Sequence, residues 1–219
     1  MWQFIDDRRH QILYDGLQHA YLVALTVALA SVIAVLLAMF VARVPRIARV
    51  VSTANTFNML SAIGLTVPSL ALIGLLMPLT GIGTTTAFIC VCFYAVLPIL
   101  RNAIVGLAGV DATLLESARG MGMNELAVMF RIRLPLAWPV ILAGIRVSLQ
   151  MSMGVAALAA LVLGPGLGSY IFTGLAQIGG KNALNSALVG TVGVVILALI
   201  LDLVLLLVGR LTTSKGIRA

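Results

Sequence analysis

Charge is what this sequence has least of. Of its 219 residues only 10% are Asp, Glu, Lys or Arg, whereas 61% are hydrophobic. A soluble domain needs far more polar surface to cover its core, so that class is excluded. Aromatic residues make up 6%, and the two histidines, His10 and His19, both lie in the amino-terminal segment. No His/Asp/Glu cluster falls within an apolar run, which leaves a membrane enzyme or metal centre without its ligands or acid–base groups. Cys90 and Cys92 lie in an apolar stretch with no histidine or carboxylate nearby, and read as small buried hydrophobes. A phosphate-cradling loop, G-x4-G-K-[ST], is missing too. The nearest approach, Gly174 through Asn182, misplaces the lysine and lacks the hydroxyl residue. The chain is therefore expected to hydrolyse no ATP, to be no enzyme, and to need no cofactor.

What the sequence has is long uncharged runs. Between His19 and Arg43 lie 23 residues without charge, about 34 Å as a helix, enough to cross a bilayer core of about 30 Å. From Val50 to Leu100 there are 51 residues without a Lys, Arg, Asp or Glu. That is too long for one helix and right for two, with a turn at Pro78, Gly81 and Gly83. The spans expected are near 57–77 and 84–105. A polar stretch, about 106–135, precedes a fourth span near 138–163. A glycine-rich connection, Gly164-Pro-Gly-Leu-Gly168, leads into a mixed segment, and a fifth span runs near 188–208. The first run is longer than a signal peptide's core and is followed at once by Arg43, Arg46 and Arg49, so it reads as a retained helix. The expectation is one all-helical, polytopic membrane domain over residues 1–219 with about five transmembrane helices.

The net charge of +7 does not indicate nucleic acid, because the basic residues are not clustered with aromatics but stand between the apolar runs. Their distribution sets an orientation instead. The 43–50 loop, the 101–133 segment and the tail after Val208 together hold ten Lys and Arg. The other side holds Arg8, Arg9 and Lys181, offset by Asp6, Asp7 and Asp15. The positive-inside rule then puts the amino terminus outside and the carboxyl terminus in the cytoplasm.

The polar stretch can be read residue by residue. Asp111 is suited to cap a short helix containing Glu116 and Ala118. Gly120 and Gly122 allow a sharp exit from it. Asn124 is suited to cap a second helix through Glu125 to Arg131, and Pro135 sets the start of the fourth span. Such a hairpin has little core of its own and should gain order by docking. Its residues, Glu116-Ser-Ala-Arg-Gly-Met-Gly122, then nine residues, then Ile132-Arg-Leu-Pro135, resemble the "EAA" loop, E-A-A-x3-G-x9-I-x-L-P, of ABC importer permeases. Ser117, where a small Ala is usual, is the one departure.

The resemblance implies a MetI-like transmembrane domain of an ABC type I importer in a bacterial inner membrane. It implies that Glu116, Ser117, Ala118 and Gly122 contact the ATPase, with Ile132, Leu134 and Pro135 anchoring the loop. The partners implied are two ABC ATPase subunits, a second permease copy or paralogue, an extracytoplasmic solute-binding protein and membrane lipid, with no nucleic acid. The stretch Thr66-Val-Pro-Ser-Leu-Ala-Leu-Ile-Gly74, then Met77-Pro-Leu and Gly81-Ile-Gly83, resembles a region of permeases for glycine betaine, carnitine or choline. Gly144-Ile-Arg146, Gly164 to Gly168 and Tyr170-Ile-Phe172 are similar to their fourth span and its outer connection, with Pro165 departing from the usual small residue. The function expected is ATP-driven import of such osmoprotectants by alternating access. The rivals are an importer of another small solute, such as an amino acid, and an ion-coupled secondary transporter. A quaternary ammonium solute is best held by an aromatic cage, and no suitably spaced group of aromatics exists here, which fits selection by a separate binding protein.

Three features keep two readings each. Pro68 should kink the second span, either lining the solute path with Ser69 or merely packing. Gly164, Gly166 and Gly168 make either a gate or a plain tight connection. Arg146 and Asp202 are charges inside predicted spans, expected near the cytoplasmic ends of their helices. A lone charge at mid-bilayer costs about 2.5–3.5 kcal/mol, so they either pair, tying the fourth span to the fifth, or snorkel separately.

Overall fold

The computed structural model describes residues 1–43 and 63–213. Every regular element among them is helical. In chain order these are α1 (Trp2–Arg43), α2 (Ser69–Thr80), α3 (Thr84–Ala108), α4 (Ala112–Gly120), α5 (Glu125–Val128), α6 (Leu134–Leu158), α7 (Gly168–Ala176) and α8 (Ala183–Thr212). A π-helical segment, Met129–Arg133, joins α5 to α6, and a 3-10 turn, Ala159–Val162, ends α6. Four stretches are long and apolar enough to cross a membrane: Trp2–Arg43, Thr84–Ala108, Glu125–Val162 and Ala183–Thr212. The 57–77 span is represented by a helical turn at 63–66 and by the shorter α2; its first residues lie outside those described.

The centre of the bundle is α3, which packs against α1, α2 and α6. Small side chains let these helices approach, since between membrane helices close van der Waals contact replaces the hydrophobic drive. On α1, Ala30, Ala34 and Ala38 recur every fourth residue and are all buried. Between α3 and α6 the backbones meet at Gly106 and Gly144. A Cβ on Gly144 would stand 2.6 Å from Asn102 Cβ, and one on Gly106 would stand 3.1 Å from the Ala137 carbonyl. Ser148 Oγ donates across the same interface to the Ala95 carbonyl at 2.8 Å. In contrast, α8 presents Leu199, Leu203, Leu207 and Leu211 outward, a continuous apolar face suited to lipid.

Several expectations are refined. The first helix begins at Trp2, not near residue 20, because its polar first half is compatible with a helix. Pro68 interrupts the second span outright: it is extended (φ −65°, ψ 131°) and precedes α2, and the Tyr94 hydroxyl on α3 donates to the Val67 carbonyl beside it. The predicted turn closes at Gly81 and Gly83, both at positive φ, while Pro78 stays inside α2. The second hairpin helix does not run as α-helix to Arg131; it passes into the π segment after Val128. Proline at 135 removes an N–H and crowds the carbonyl four residues back, and one π turn accommodates both. Helical structure thus runs from Glu125 through Pro135 without a fresh start. The mixed segment contains α7, which charge patterning did not reveal.

The two ends of the bundle differ in chemistry. At one, Arg43 faces the 115–133 region across a cleft, and Trp138 Nε1 donates to Thr212 Oγ1 at 2.8 Å, joining the start of α6 to the end of α8. At the other, Phe4 and Arg8 meet Tyr170, Asn182 and Ser186.

Candidate functional site: a capped polar hairpin

The 111–133 hairpin is built by side-chain caps. Asp111 Oδ1 accepts from the Thr113 N–H at 2.8 Å and from Thr113 Oγ1 at 2.6 Å, starting α4. These bonds, the hydroxyl's first, hold the Asp111 carboxyl below the usual carboxylate range. Asn124 Oδ1 accepts from the Ala127 N–H at 2.8 Å, starting α5. Between them the chain reverses at Gly122, whose φ of +84° lies where a side chain is disfavoured. The reversal is closed by Met121 N–H to the Ser117 carbonyl and Met123 N–H to the Ala118 carbonyl.

A small core fills the hairpin: Leu115, Ala118 and Val128 are buried, with Met123 and Ile132 packed beside them. The residue at 118 is small because it faces Val128 inside this core. Ala118, which the resemblance implied to contact the ATPase, is buried between the two short helices. Ser117 is exposed and donates to the Thr113 carbonyl at 2.8 Å, so its hydroxyl is satisfied within α4. Glu116 and Gly122 are exposed. Arg119 spans the two helices, with Nε 2.7 Å from Glu125 Oε1 and Nη2 3.3 Å from Oε2, and this pairing raises the Arg119 pKa. Exposed pairs of this kind add little stability and mainly fix geometry.

Contact with the bundle also involves a residue that the sequence did not single out. Pro135 is exposed, Leu134 packs against the main core and Ile132 against the hairpin core. It is Arg133 that bridges back to α3, donating from Nε to the Leu107 carbonyl at 3.0 Å. A cation at the carbonyl end of a helix is favourable by position as well as by bonding. Sequence reasoning also missed an apolar set left exposed on this polar hairpin: Leu114, Met121, Leu126 and Phe130. Leu126 and Phe130, four residues apart, lie on the side away from Val128, a signal that is present in the sequence but masked by the short element lengths.

The residues considered for a solute path fall into two places. Pro68 is exposed and Ser69 half-buried at the break before α2, where Cys90 Sγ approaches the Ser69 carbonyl at 4.0 Å. Gly164, Gly166 and Gly168 are buried, each against a different neighbour. Added Cβ atoms would stand 3.0 Å from Ala87 Cβ on α3, 2.6 Å from His19 Nδ1 on α1 and 2.0 Å from the Ala157 carbonyl, respectively. This connection is a close-packed lid over three helices. His19, fully buried beneath Gly166, belongs to it and was not legible as such in the sequence.

Arg146 and Asp202 are brought together. Nε lies 2.8 Å from Oδ1 and Nη2 lies 2.7 Å from Oδ2, a two-pronged pair joining α6 to α8. Arg146 stands at the middle of α6, not near its end as expected.

Residues 34–214 match the family described as binding-protein-dependent transport system inner membrane component. The chain is 37% identical over 219 residues to the glycine betaine/carnitine/choline transport system permease protein OpuCB of Bacillus subtilis, covering 100% of this chain and 96% of that one. It is 37% identical over 206 residues to the osmoprotectant import permease protein OsmW of Salmonella typhimurium, covering 92% and 91%. In fold it is similar to a chain of an inward-facing structure of the MetNI methionine ABC transporter, with a TM-score of 0.73 at 21% identity, covering 93% and 96%.

Proposed function

Because this chain belongs to the family of binding-protein-dependent transport system inner membrane components, we propose that it is the permease subunit of an ATP-driven importer of glycine betaine, carnitine or choline. The observation that carries the mechanism is the 111–133 hairpin: a doubly capped, separately cored unit with an apolar outer face, fixed to the bundle through Arg133. A separate ATPase docks on its exposed residues, Glu116, Gly122, Leu114 and Met121 among them, and the hairpin passes movement of that ATPase to α3 and α6. The spans respond by exposing a solute passage to one side and then the other. Pro68 and Ser69, where the second span is broken, border that passage, and the Gly164–Gly168 lid closes its outer end.

Two ATPases and a second permease copy or paralogue complete the translocation unit, and an extracytoplasmic binding protein delivers the solute. The basic end of the bundle faces the cytoplasm and the amino terminus faces out, as the lysine and arginine bias favours. A Glu116→Cys variant should react with a membrane-impermeant maleimide only after permeabilisation, and Asn182→Cys in intact cells; the opposite pattern would sink this orientation. An ion-coupled carrier would want an available intramembrane acid, whereas Asp202 is already engaged by Arg146.

The decisive experiment is a Gly122→Asp exchange. Its Cβ meets no atom within 4 Å, so the span bundle is untouched, while the left-handed turn and the docking face are both disturbed. Membrane insertion should be normal and co-purification of the ATPase lost. ATPase recovery at the wild-type level would reject the docking role.

A further inference from the structure

Between the end of α1 and the hairpin lies a cleft of about 470 Å³. Three guanidinium side chains line it, Arg43, Arg119 and Arg133, against one carboxylate, Glu125, with Leu115 and Met129 on its apolar wall. Glu125 is already held by two nitrogens of Arg119. Arg133 commits Nε to the Leu107 carbonyl, and its terminal nitrogens donate to no described residue.

Few acids stand near this excess of positive charge. It contains seven acidic residues. Asp6, Asp7 and Asp15 belong to the first half of α1, at the far end of the bundle, and Asp202 is paired with Arg146. Asp111 is engaged with Thr113, and only Glu116 and Glu125 remain, both on the hairpin. The segments 44–62 and 214–219 contain no Asp or Glu, and add Arg46, Arg49, Lys215 and Arg218. Against Glu116 and Glu125, the three guanidinium groups of the cleft leave one positive charge in excess.

We propose that this cleft, where Arg43, Arg119 and Arg133 converge beside an apolar wall, is a phosphate-group site occupied by the headgroup of an anionic phospholipid. Arginine forks match phosphate oxygens in pairs, which a small halide or a single carbonyl cannot exploit. The level is that of headgroups. Arg43 ends a membrane-crossing helix, and Trp138, an interfacial residue type, stands nearby in the chain at the start of α6. A lipid seated there braces the hairpin against α1, so its coupling to the bundle depends on the anionic lipid content of the membrane.

The test uses the full chain, purified in an uncharged detergent, with binding read by native mass spectrometry. Three probes are compared: phosphatidylglycerol, phosphatidylcholine with the same acyl chains, and inorganic phosphate alone. Phosphatidylglycerol should be retained at least tenfold more tightly than phosphatidylcholine. Arg43→Gln and Arg119→Gln should each weaken it about tenfold, the loss of one charged hydrogen-bonding partner, whereas Arg8→Gln at the far end should not. Arg133 is left intact because it also holds the Leu107 carbonyl, and helical circular dichroism checks that each variant is folded. Equal retention of the two lipids, or no loss in either arginine variant, overturns the proposal. Displacement by millimolar inorganic phosphate with no retention of phosphatidylglycerol keeps the phosphate chemistry and overturns the lipid as its source. No ATPase is present, so failure here would leave the coupling role standing.

Discussion

Leu163 has a left-handed backbone, φ +57°, and no other non-glycine residue among those described is at positive φ. It follows the 3-10 turn, where its N–H meets the Ala160 carbonyl and the Gly164 N–H meets the Ala159 carbonyl. Glycine is the usual occupant of such a closing position, and here it stands one place late. The side chain is 78% exposed, so removing it forfeits little contact inside the protomer. A Leu163→Gly exchange relieves about 1 kcal/mol of local conformational cost, partly offset by the greater freedom of glycine in the unfolded chain. The melting temperature should rise by about 2 °C; a fall would show that the side chain has a seat in the assembled complex. At the other end of the molecule, Asp111→Ala should speed amide exchange in α4 about fivefold, as expected for a lost cap, while Asp111→Asn should retain protection. Because folding depresses the Asp111 pKa, its cap contribution is fully present above the unfolded value of about 3.9 and is lost as pH falls through the lower folded value. Protection corrected for intrinsic rates should therefore decline below about pH 4 in the wild type but not in Asp111→Asn.

At the scale of elements, the pair between α6 and α8 makes the sharpest prediction. Arg146→Asp and Asp202→Arg each leave two like charges facing one another inside the span bundle, and each should reduce solute uptake in reconstituted vesicles at least tenfold. The double exchange restores opposite charges and should recover most of the loss; no recovery would mean that the two residues act separately. What could be read from the sequence follows from which forces act locally. The long spans were legible because the cost of carrying charge into lipid keeps residues such as those of 84–105 free of it. The caps at Asp111 and Asn124 were legible because capping needs only neighbours in sequence. In contrast, α7 was not, since Gly168 permits it by letting the backbone approach the Ala157 carbonyl, and that contact is tertiary. The same holds for Ala118: its size was readable as a motif position, but its burial against Val128 requires both short helices to be in place.

For the molecule as a whole, polarity is sorted by end. Among the described residues, Arg43, Arg119 and Arg133 gather at the hairpin, whereas the far end sets Arg8, Arg9 and Lys181 against Asp6, Asp7 and Asp15. The first helix is roughly 63 Å long, about twice the thickness of a bilayer core, and its first half extends past the apolar run to meet α7 and α8. The lid and the hairpin are connected through α3 and α6, while the end of α1 stands across a cleft from the hairpin. A finer consequence comes from the π turn at Met129–Arg133. Each α-helical residue advances the chain by about 100° around the axis, and a π turn holds one residue more than an α turn. The compass heading of the hairpin around α6 is thus set by a single surplus residue. Were that turn to tighten, the hairpin's exposed side would swing through roughly a quarter-circle while the rod beneath it stayed where it was.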